Sequence, residues 1–236
     1  MVEVVGAQGG FLLTHAVEDD RKTRIRHEVE SALEVVKAAG AVYTDTSLFI
    51  KVDPEASKEA HEFLKAGRTE TLNDYIVIHP GARYEYMKWS ADGFAEVADM
   101  LSDAFGFTTV LVGTKQEEAL CERVSSLMKT AVVNAAGRTG LPELTALIAA
   151  SRLFIGNSSG PMHIAAALGV PVVGIFGNIH PLDCHLEWGP WTERKAIVSA
   201  HLNCDECRPD ECEHLNCMAG ITPSMVYDVA QRLLKE

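Results

Sequence analysis

The sequence predicts an α/β fold built on a doubly wound parallel sheet, and three observations predict it. Leu153 to Gly177 reads as a buried strand, a tight polar turn, a small-residue helix closed by Gly169 and a second buried strand, which is one complete βαβ step. Apolar strand candidates recur upstream at Tyr75–Ile78, Thr108–Val112 and Val132–Val133, each followed by a turn and a helical pattern. With 236 residues, 47% of them hydrophobic, and no apolar run long enough to span a bilayer, the chain has room for one full domain plus an extension. The division expected is a helical and linker extension over residues 1–70 and the sheet domain over residues 71–236.

Residues 1–70 do not read as a domain of their own. Val2-Glu3-Val4-Val5, followed by Gly6, Gly9 and Gly10, is a short strand running into a turn. Arg21 to Ala39 carries Ile25, Val29, Leu33 and Val36 at helical spacing, with Gly40 as the stop. Leu48 to Val52 is a strand candidate, and Pro54 to Ala66 a charged helix.

From Tyr75 the pattern becomes regular. His79-Pro80-Gly81-Ala82-Arg83 breaks the first apolar strand at the end where α/β sheets place their ligand loops. Arg83 and Lys88 flank the start of a helix whose apolar positions are Phe94, Val97, Ala98 and Leu101. Two cations beside a glycine turn suit a phosphate, Arg as a planar fork and Lys as a point charge; solvated loop charges are the plainer reading. In the next unit, Gly113 to Glu118 leads into the helix Ala119 to Met128, and the dipole favours a carboxylate such as Glu117 at a helix start in any case. Gly137 to Glu143 is the loop into the helix Leu144 to Ser151. In the turn after Leu153–Asn157, Ser158 or Ser159 can cap the helix, Gly160 lets a ligand approach the backbone, and Pro161 sits where its missing N–H costs nothing. The remaining N–H groups and the positive dipole end suit an anion such as a diphosphate, with His163 one turn further in as an added donor. A mere helix start with a surface histidine is the alternative.

The tail holds Cys204, Cys207, Cys212 and Cys217, with His201 and His214 close by. In a reducing cytoplasm four such thiols suit a tetrahedral zinc site, although the spacing is not that of a standard ribbon or finger; free or partly oxidised thiols are the other reading. Thr222-Pro223 opens a last helix with Val226, Val229, Leu233 and Leu234 on one side. A net charge of −12 argues against a nucleic-acid binder, which needs a basic face. No Walker lysine, Ser-His-Asp pattern, metal-binding carboxylate pair or Gly-x-Gly-x-x-Gly fingerprint appears, and no secretory leader is visible at Met1.

The run Gly156-Asn157-Ser158-Ser159-Gly160-Pro161-Met162-His163-Ile164-Ala165-Ala166-Ala167-Leu168 resembles the signature of the heptosyltransferases, which move heptose from ADP-heptose onto lipopolysaccharide core. His79 to Arg83, followed by Lys88-Trp89, does so too, and the likeness spans roughly residues 71–236 in order. One departure stands out, since the family usually has an aspartate where this chain has Ser158. The resemblance implies a Rossmann-like sheet that is the donor half of a GT-B fold, with an ADP-type nucleotide sugar as ligand. It assigns Lys88 to the donor diphosphate, Glu117 to the ribose hydroxyls, and Thr139 and Leu141 to the border of the adenine. Arg83, Ser158, Ser159, Gly160, Pro161, Met162 and His163 complete the substrate-binding set, and His15 resembles a junction histidine with a structural role.

The resemblance further implies an inverting, metal-independent transfer that requires no cofactor, with a structural zinc at the cysteines as an open addition. Its general base is an aspartate of an N-terminal acceptor domain that residues 1–70 do not supply, so the chain is expected to be inactive alone; the catalytic residue is therefore unassigned. The lipopolysaccharide core acceptor would be met through that domain, in a cytoplasmic protein peripheral to the inner membrane at full length. A stand-alone, non-catalytic nucleotide-sugar-binding module is the alternative.

Overall fold

A computed structural model describes residues 2–5, 15–18, 24–67, 74–177, 184–200, 202 and 211–235. Its centre is an all-parallel six-stranded sheet of β3 (Tyr75–His79), β4 (Thr108–Leu111), β5 (Val132–Asn134), β6 (Phe154–Asn157), β7 (Val172–Ile175) and β8 (Lys195–Val198), in the order β5-β4-β3-β6-β7-β8. The chain winds outward from β3 through β4 to β5, then returns to the other side of β3 and winds out again through β7 and β8. The winding reverses between β3 and β6, where Val77 pairs with Phe154, Ile78 with Ile155 and His79 with Gly156. A crevice opens at such a switch point because the loops after the two strands leave toward opposite faces.

The central strands are apolar throughout because both faces are covered. All five residues of β3 are buried, and they alternate between two cores: Ile76 and Ile78 face one, Tyr75 and Val77 the other. The first core is closed by α3 (Ala91–Phe105), α4 (Glu118–Leu127) and α9 (Pro223–Lys235), through Phe94, Val97, Leu101, Val124, Val226 and Leu233. The second is closed by α5 (Leu141–Ala149), α6 (Gly160–Ala167) and, from the N-terminal segment, α2 (Pro54–Ala66). Asp53 caps α2 and Pro54 opens it, and its apolar stripe Ala56, Ala60 and Leu64 is buried beside Ala146, Leu147 and Ile148. Arg138, from the loop before α5, lies 4.6 Å over the Phe63 ring. The expected extension thus contributes one whole helix to the sheet's core.

The rest of the N-terminal segment differs from the sequence reading in three ways. β1 (Val2–Val5) pairs in parallel with β2 (His15–Glu18), so His15 begins a strand rather than leading into a helix. The helix expected from Arg21 is α1 (Glu28–Ala38), because the His27 ring accepts the Val29 N–H and Glu30 reaches back to the His27 N–H, a capping box that starts the helix there. Gly40 does stop it, with a φ of +89° that a side chain would resist. Residues 48–52 form no strand: Leu48, Ile50 and Val52 are half-buried in alternation with exposed Phe49 and Lys51, but among the described residues no neighbouring strand completes a ladder. Alternation creates a strand only where a partner takes the backbone groups.

This segment is pinned to the sheet unit by His27, whose Nε2 lies 2.8 Å from the Gly189 carbonyl and whose ring sits 4.6 Å from that of Trp191. Trp191 in turn donates its indole N–H to the Thr46 carbonyl at 2.8 Å. The short helices α7 (His185–Trp188) and α8 (Asn216–Ala219) and the single helical turns Glu85–Met87 and Lys115–Glu117 complete the described elements. Among the described residues no helix is long and apolar enough to cross a membrane.

Because Leu64 is 1% exposed inside the shared core, Leu64→Ala should lower the unfolding free energy of the sheet unit by about 2–5 kcal/mol. Urea denaturation followed by tryptophan fluorescence measures this, and an unchanged midpoint would show that α2 lends the sheet no stability.

Candidate functional site

Four loops leave the C-terminal ends of β3, β4, β5 and β6 on one side of the sheet and enclose a cleft of about 420 Å³. The end of β3 supplies His79, the loop after it Ala82 and Arg83, and the turn after β4 Gly113, Thr114 and Glu117. The loop before α5 adds Thr139, Gly140, Leu141 and Leu144, and the start of α6 adds Ser159, Gly160 and Pro161. The cleft lies over the switch point between β3 and β6.

A buried asparagine holds two of these walls together. Asn157, the last residue of β6, is fully buried; its amide nitrogen donates to the carbonyls of Pro80 (2.8 Å) and Gly81 (3.4 Å), and its Oδ1 accepts the Trp89 N–H at 3.1 Å. Trp89 donates its indole N–H to the Ile221 carbonyl at 2.9 Å and packs edge-on to Phe94. The loop that carries Arg83 and Lys88 is therefore tied at both ends, and Ser90 then caps α3 by accepting from Gly93 N–H.

On the β4 side, Glu117 ends a short helical turn, Lys115–Glu117. Its Oε2 accepts from the Thr114 N–H at 2.7 Å and the Thr114 hydroxyl at 2.9 Å, and faces His79 Nε2 at 3.4 Å. The His79 contact and the Thr114 bonds hold the Glu117 carboxyl down at about 2, against the opposing pull of burial. The two Thr114 bonds are the shorter ones and fix the carboxylate's position. Gly81 is required here: a Cβ on it would collide with the Glu117 carboxylate. Cys121, behind this turn, has its thiol pushed up to about 12 by burial and, secondarily, by Glu117, so it stays protonated.

On the β6 side, Ser159 occupies the cap position of α6 but does not cap it. Its hydroxyl donates to the Asn157 carbonyl at 3.1 Å and its oxygen lies 3.0 Å from His79 Nδ1, which leaves the first turn of α6 without a side-chain cap. Gly160 follows with open space where a side chain would project. Of the residues assigned from sequence, Arg83, Glu117, Thr139, Leu141, Ser159, Gly160 and Pro161 line the cleft together.

Four assigned residues lie elsewhere. Met162 is fully buried in the second core and fills space against Gly174, so its side chain is committed to packing. Ser158 is half-buried beside the cleft without lining it. Lys88 is also outside the lining, and its ammonium lies 2.6 Å from the Glu85 carboxylate. His163 is half-buried, and burial first, then the proximity of His27, holds its imidazole below its ordinary pKa. Of the four cysteines, Cys204 and Cys207 lie outside the described residues; Cys212 Sγ is 3.6 Å from His214 Nδ1. Among the described residues no group of three or more His, Cys, Asp or Glu converges in a way that could hold a metal, so the structure gives the zinc reading no support.

Sequence reading gave no role to His79, Thr114 or Asn157. A polar residue at the C-terminal end of an otherwise apolar strand is the signal that marks His79 and Asn157, since such a residue ends at the ligand edge of the sheet. Thr114 could have been found from Glu117, because Thr-x-x-Glu is a capping box.

The lowered Glu117 pKa carries a stability consequence. Its folded value near 2 lies below the ordinary 4.5, so its contribution is present above pH 4.5 and is lost as pH falls through about 2. Glu117→Gln should therefore lose less stability than the unsubstituted chain between those two values, as read by denaturant midpoints across the acid range. Parallel curves would show that the carboxylate is not held as described.

The sequence model of glycosyltransferase family 9 (heptosyltransferase) matches residues 7–218, so the likeness begins well before residue 71 and takes in most of the N-terminal segment. Lipopolysaccharide heptosyltransferase 3 of Escherichia coli K12 is 36% identical over 172 residues, which are 71% of this chain and 47% of that protein. The chain spans about half the length of the curated relatives it matches. Among solved structures, the glycosyl transferase family 9 protein of Veillonella parvula superposes with a TM-score of 0.80 at 27% identity, covering 96% of this chain and 64% of that one. An E. coli ADP-heptose lipopolysaccharide heptosyltransferase II shares the fold with a TM-score of 0.74 at 21% identity, over 95% of this chain and 66% of the other. With a Rossmann-like parallel sheet, a loop-lined cleft at its switch point and a family match across nearly its whole length, this chain belongs to glycosyltransferase family 9, the heptosyltransferases.

Proposed function

We propose that the cleft binds the nucleoside diphosphate of a nucleotide sugar and that the chain is the donor half of a heptosyltransferase, taking ADP-heptose and serving transfer to a lipopolysaccharide core. The observation that carries this reading is the pairing across one cleft of an uncapped helix start, Ser159-Gly160-Pro161, with the fixed carboxylate of Glu117. The first suits phosphate oxygens, which accept hydrogen bonds and carry negative charge. The second suits vicinal ribose hydroxyls, which donate. Thr139, Leu141 and Leu144 form an apolar wall for the base, and Leu141, 63% exposed, has apolar surface to cover. The sugar and acceptor proposed are those that the name of a relative suggests, lipopolysaccharide heptosyltransferase 3 of E. coli.

The chemistry asked of this half is stabilisation of the leaving group. As the bond from sugar to diphosphate breaks, negative charge grows on the β-phosphate, and donors fixed there favour the transition state over the ground state. Gly160 N–H and Arg83, which line the cleft, are assigned that task, with His163, one turn into α6 and outside the lining, as a further donor in this reading. Lys88 joins them by exchanging Glu85, an exposed partner whose pairing contributes little, for the phosphate. The proton of the acceptor hydroxyl must go to a base. In this reading that base belongs to an N-terminal acceptor domain, of which β1, β2 and α1 are a remnant, and transfer is inverting and metal-independent. Ser158, at the family's usual aspartate position, leaves one carboxylate fewer beside the sugar.

The chain by itself should bind ADP and transfer no heptose to a lipid A core acceptor. In calorimetric titrations Lys88→Ala should weaken ADP tenfold to a hundredfold, on the order of the 1.5–3 kcal/mol of a charge-assisted bond. Glu117→Ala should weaken ADP far more than inorganic diphosphate, because it faces the ribose, and Gly160→Val should weaken both by obstructing the helix start. Equal ADP affinity for the unsubstituted chain and Lys88→Ala would remove Lys88 from the site, absence of ADP binding would defeat the nucleotide reading, and measurable turnover would show that the chain is more than a donor half.

A further inference from the structure

His79 stands where the two walls of the cleft meet. It ends β3 at the switch point, is only 4% exposed, and is in register with Gly156 of β6. A Cβ at Gly156 would come within 3.0 Å of the His79 carbonyl, so the glycine lets the two strand ends lie close. The ring then faces both walls at once, with Nδ1 3.0 Å from Ser159 Oγ and Nε2 3.4 Å from Glu117 Oε2. We propose that His79 is a positioning residue that couples the two ends of the nucleotide site, so that filling the ribose end at Glu117 prepares the diphosphate end at Ser159. This inference rests on the nucleotide reading above.

The coupling follows from which atoms can donate. Carboxylate oxygens only accept, so the nitrogen bonded to Glu117 carries the ring's proton. A neutral imidazole with its proton on Nε2 has a lone pair on Nδ1, which competes at 3.0 Å with the Asn157 carbonyl at 3.1 Å for the single hydroxyl hydrogen of Ser159, and in this tautomer Nδ1 draws it away from the carbonyl. In this arrangement the hydroxyl hydrogen points into the protein and the oxygen lone pairs face the cleft, which repels a phosphate. Ribose hydroxyls donating to Glu117 relieve the carboxylate of its need for Nε2–H. The ring is free to carry its proton on Nδ1 instead and to donate to Ser159 Oγ, which releases the hydroxyl hydrogen. That hydrogen has two uses: the Asn157 carbonyl, 3.1 Å away, or a phosphate oxygen at the start of α6. A nucleoside at one end therefore frees the Ser159 hydroxyl at the other from Nδ1, and a phosphate there competes only with the Asn157 carbonyl for its hydrogen. The exchange is local because Thr114 keeps the carboxylate in place whichever partner Oε2 has on the histidine side.

Calorimetry with separate probes for the two ends tests this. For the unsubstituted chain, saturating adenosine should raise the affinity for inorganic diphosphate about threefold, and diphosphate should raise that for adenosine by the same factor, as linkage requires. His79→Asn places an amide near Nδ1 and His79→Gln near Nε2. The first should keep diphosphate binding within about threefold while weakening adenosine about tenfold, and the second should do the reverse; neither should show the mutual enhancement. Ser159→Ala, which leaves the ring in place, should also abolish the enhancement, and it keeps the test decisive if the His79 variants fail to fold. No enhancement in the unsubstituted chain, or equal losses for both probes in His79→Asn and His79→Gln, would overturn the coupling while leaving the nucleotide site standing. Failure of the unsubstituted chain to bind ADP at all would instead overturn the reading beneath it.

Discussion

The amide of Asn157 is the interaction on which the site depends. It is buried at the end of the central strand β6, and its donors and acceptor are spent on the loop that leaves the neighbouring strand β3. Remove it and the carbonyl of Pro80 and the N–H of Trp89 lose a partner in a place that water does not reach, at a cost of about 1–3 kcal/mol for each unsatisfied group. The loop it holds follows His79 and carries Arg83 into the cleft, and Trp89 extends the tie through Ile221 to the start of the last helix. One side chain thus links the two halves of the doubly wound sheet at the point where they diverge, which is where the ligand crevice must open.

Charge is distributed against the molecule's average in this cleft. The chain carries a net charge of −12, yet an anion is the guest proposed. The structure resolves this by position. Backbone N–H groups at an uncapped helix start supply positive potential without a charged residue, Arg83 adds one cation, and the one carboxylate in the lining, Glu117, is pinned by Thr114 and His79 at the opposite wall. Glu117 therefore repels phosphate least and meets hydroxyls best, and its bonds to Thr114 keep it there.

The βαβ step from Leu153 to Gly177 was legible because its signals are local: a short apolar run, a Ser-Ser-Gly-Pro turn and a glycine stop. β6, α6 and β7 fall where those signals place them, and the same holds for α2, with Asp53, Pro54 and Gly67 marking its ends. Seven of the eleven substrate-binding residues named from sequence line the cleft because the loops at one end of a parallel sheet converge by topology. Met162 sits in a run of cleft-lining residues, but on the first turn of α6 its side chain points to the core. Residues 48–52 show the reverse error, a correct alternation of burial without the strand that would pair with it.

The sequence by itself determined the fold class, the order of the βα units and the loops that carry the cleft, since each depends on periodicity and on turn residues within a dozen positions. It also carried the family likeness, although the match extends further toward the N-terminus than the motifs alone revealed. Only the tertiary structure decided that Ser159 turns its hydroxyl away from its own helix, that His79 touches both walls, and that α2 completes a core whose other members lie up to 120 residues later, at Phe176. The two His79 contacts join residues 38 and 80 positions apart, and no local propensity encodes them. They exist because a parallel sheet brings the ends of distant strands to one edge, where the backbone register determines which side chains can meet.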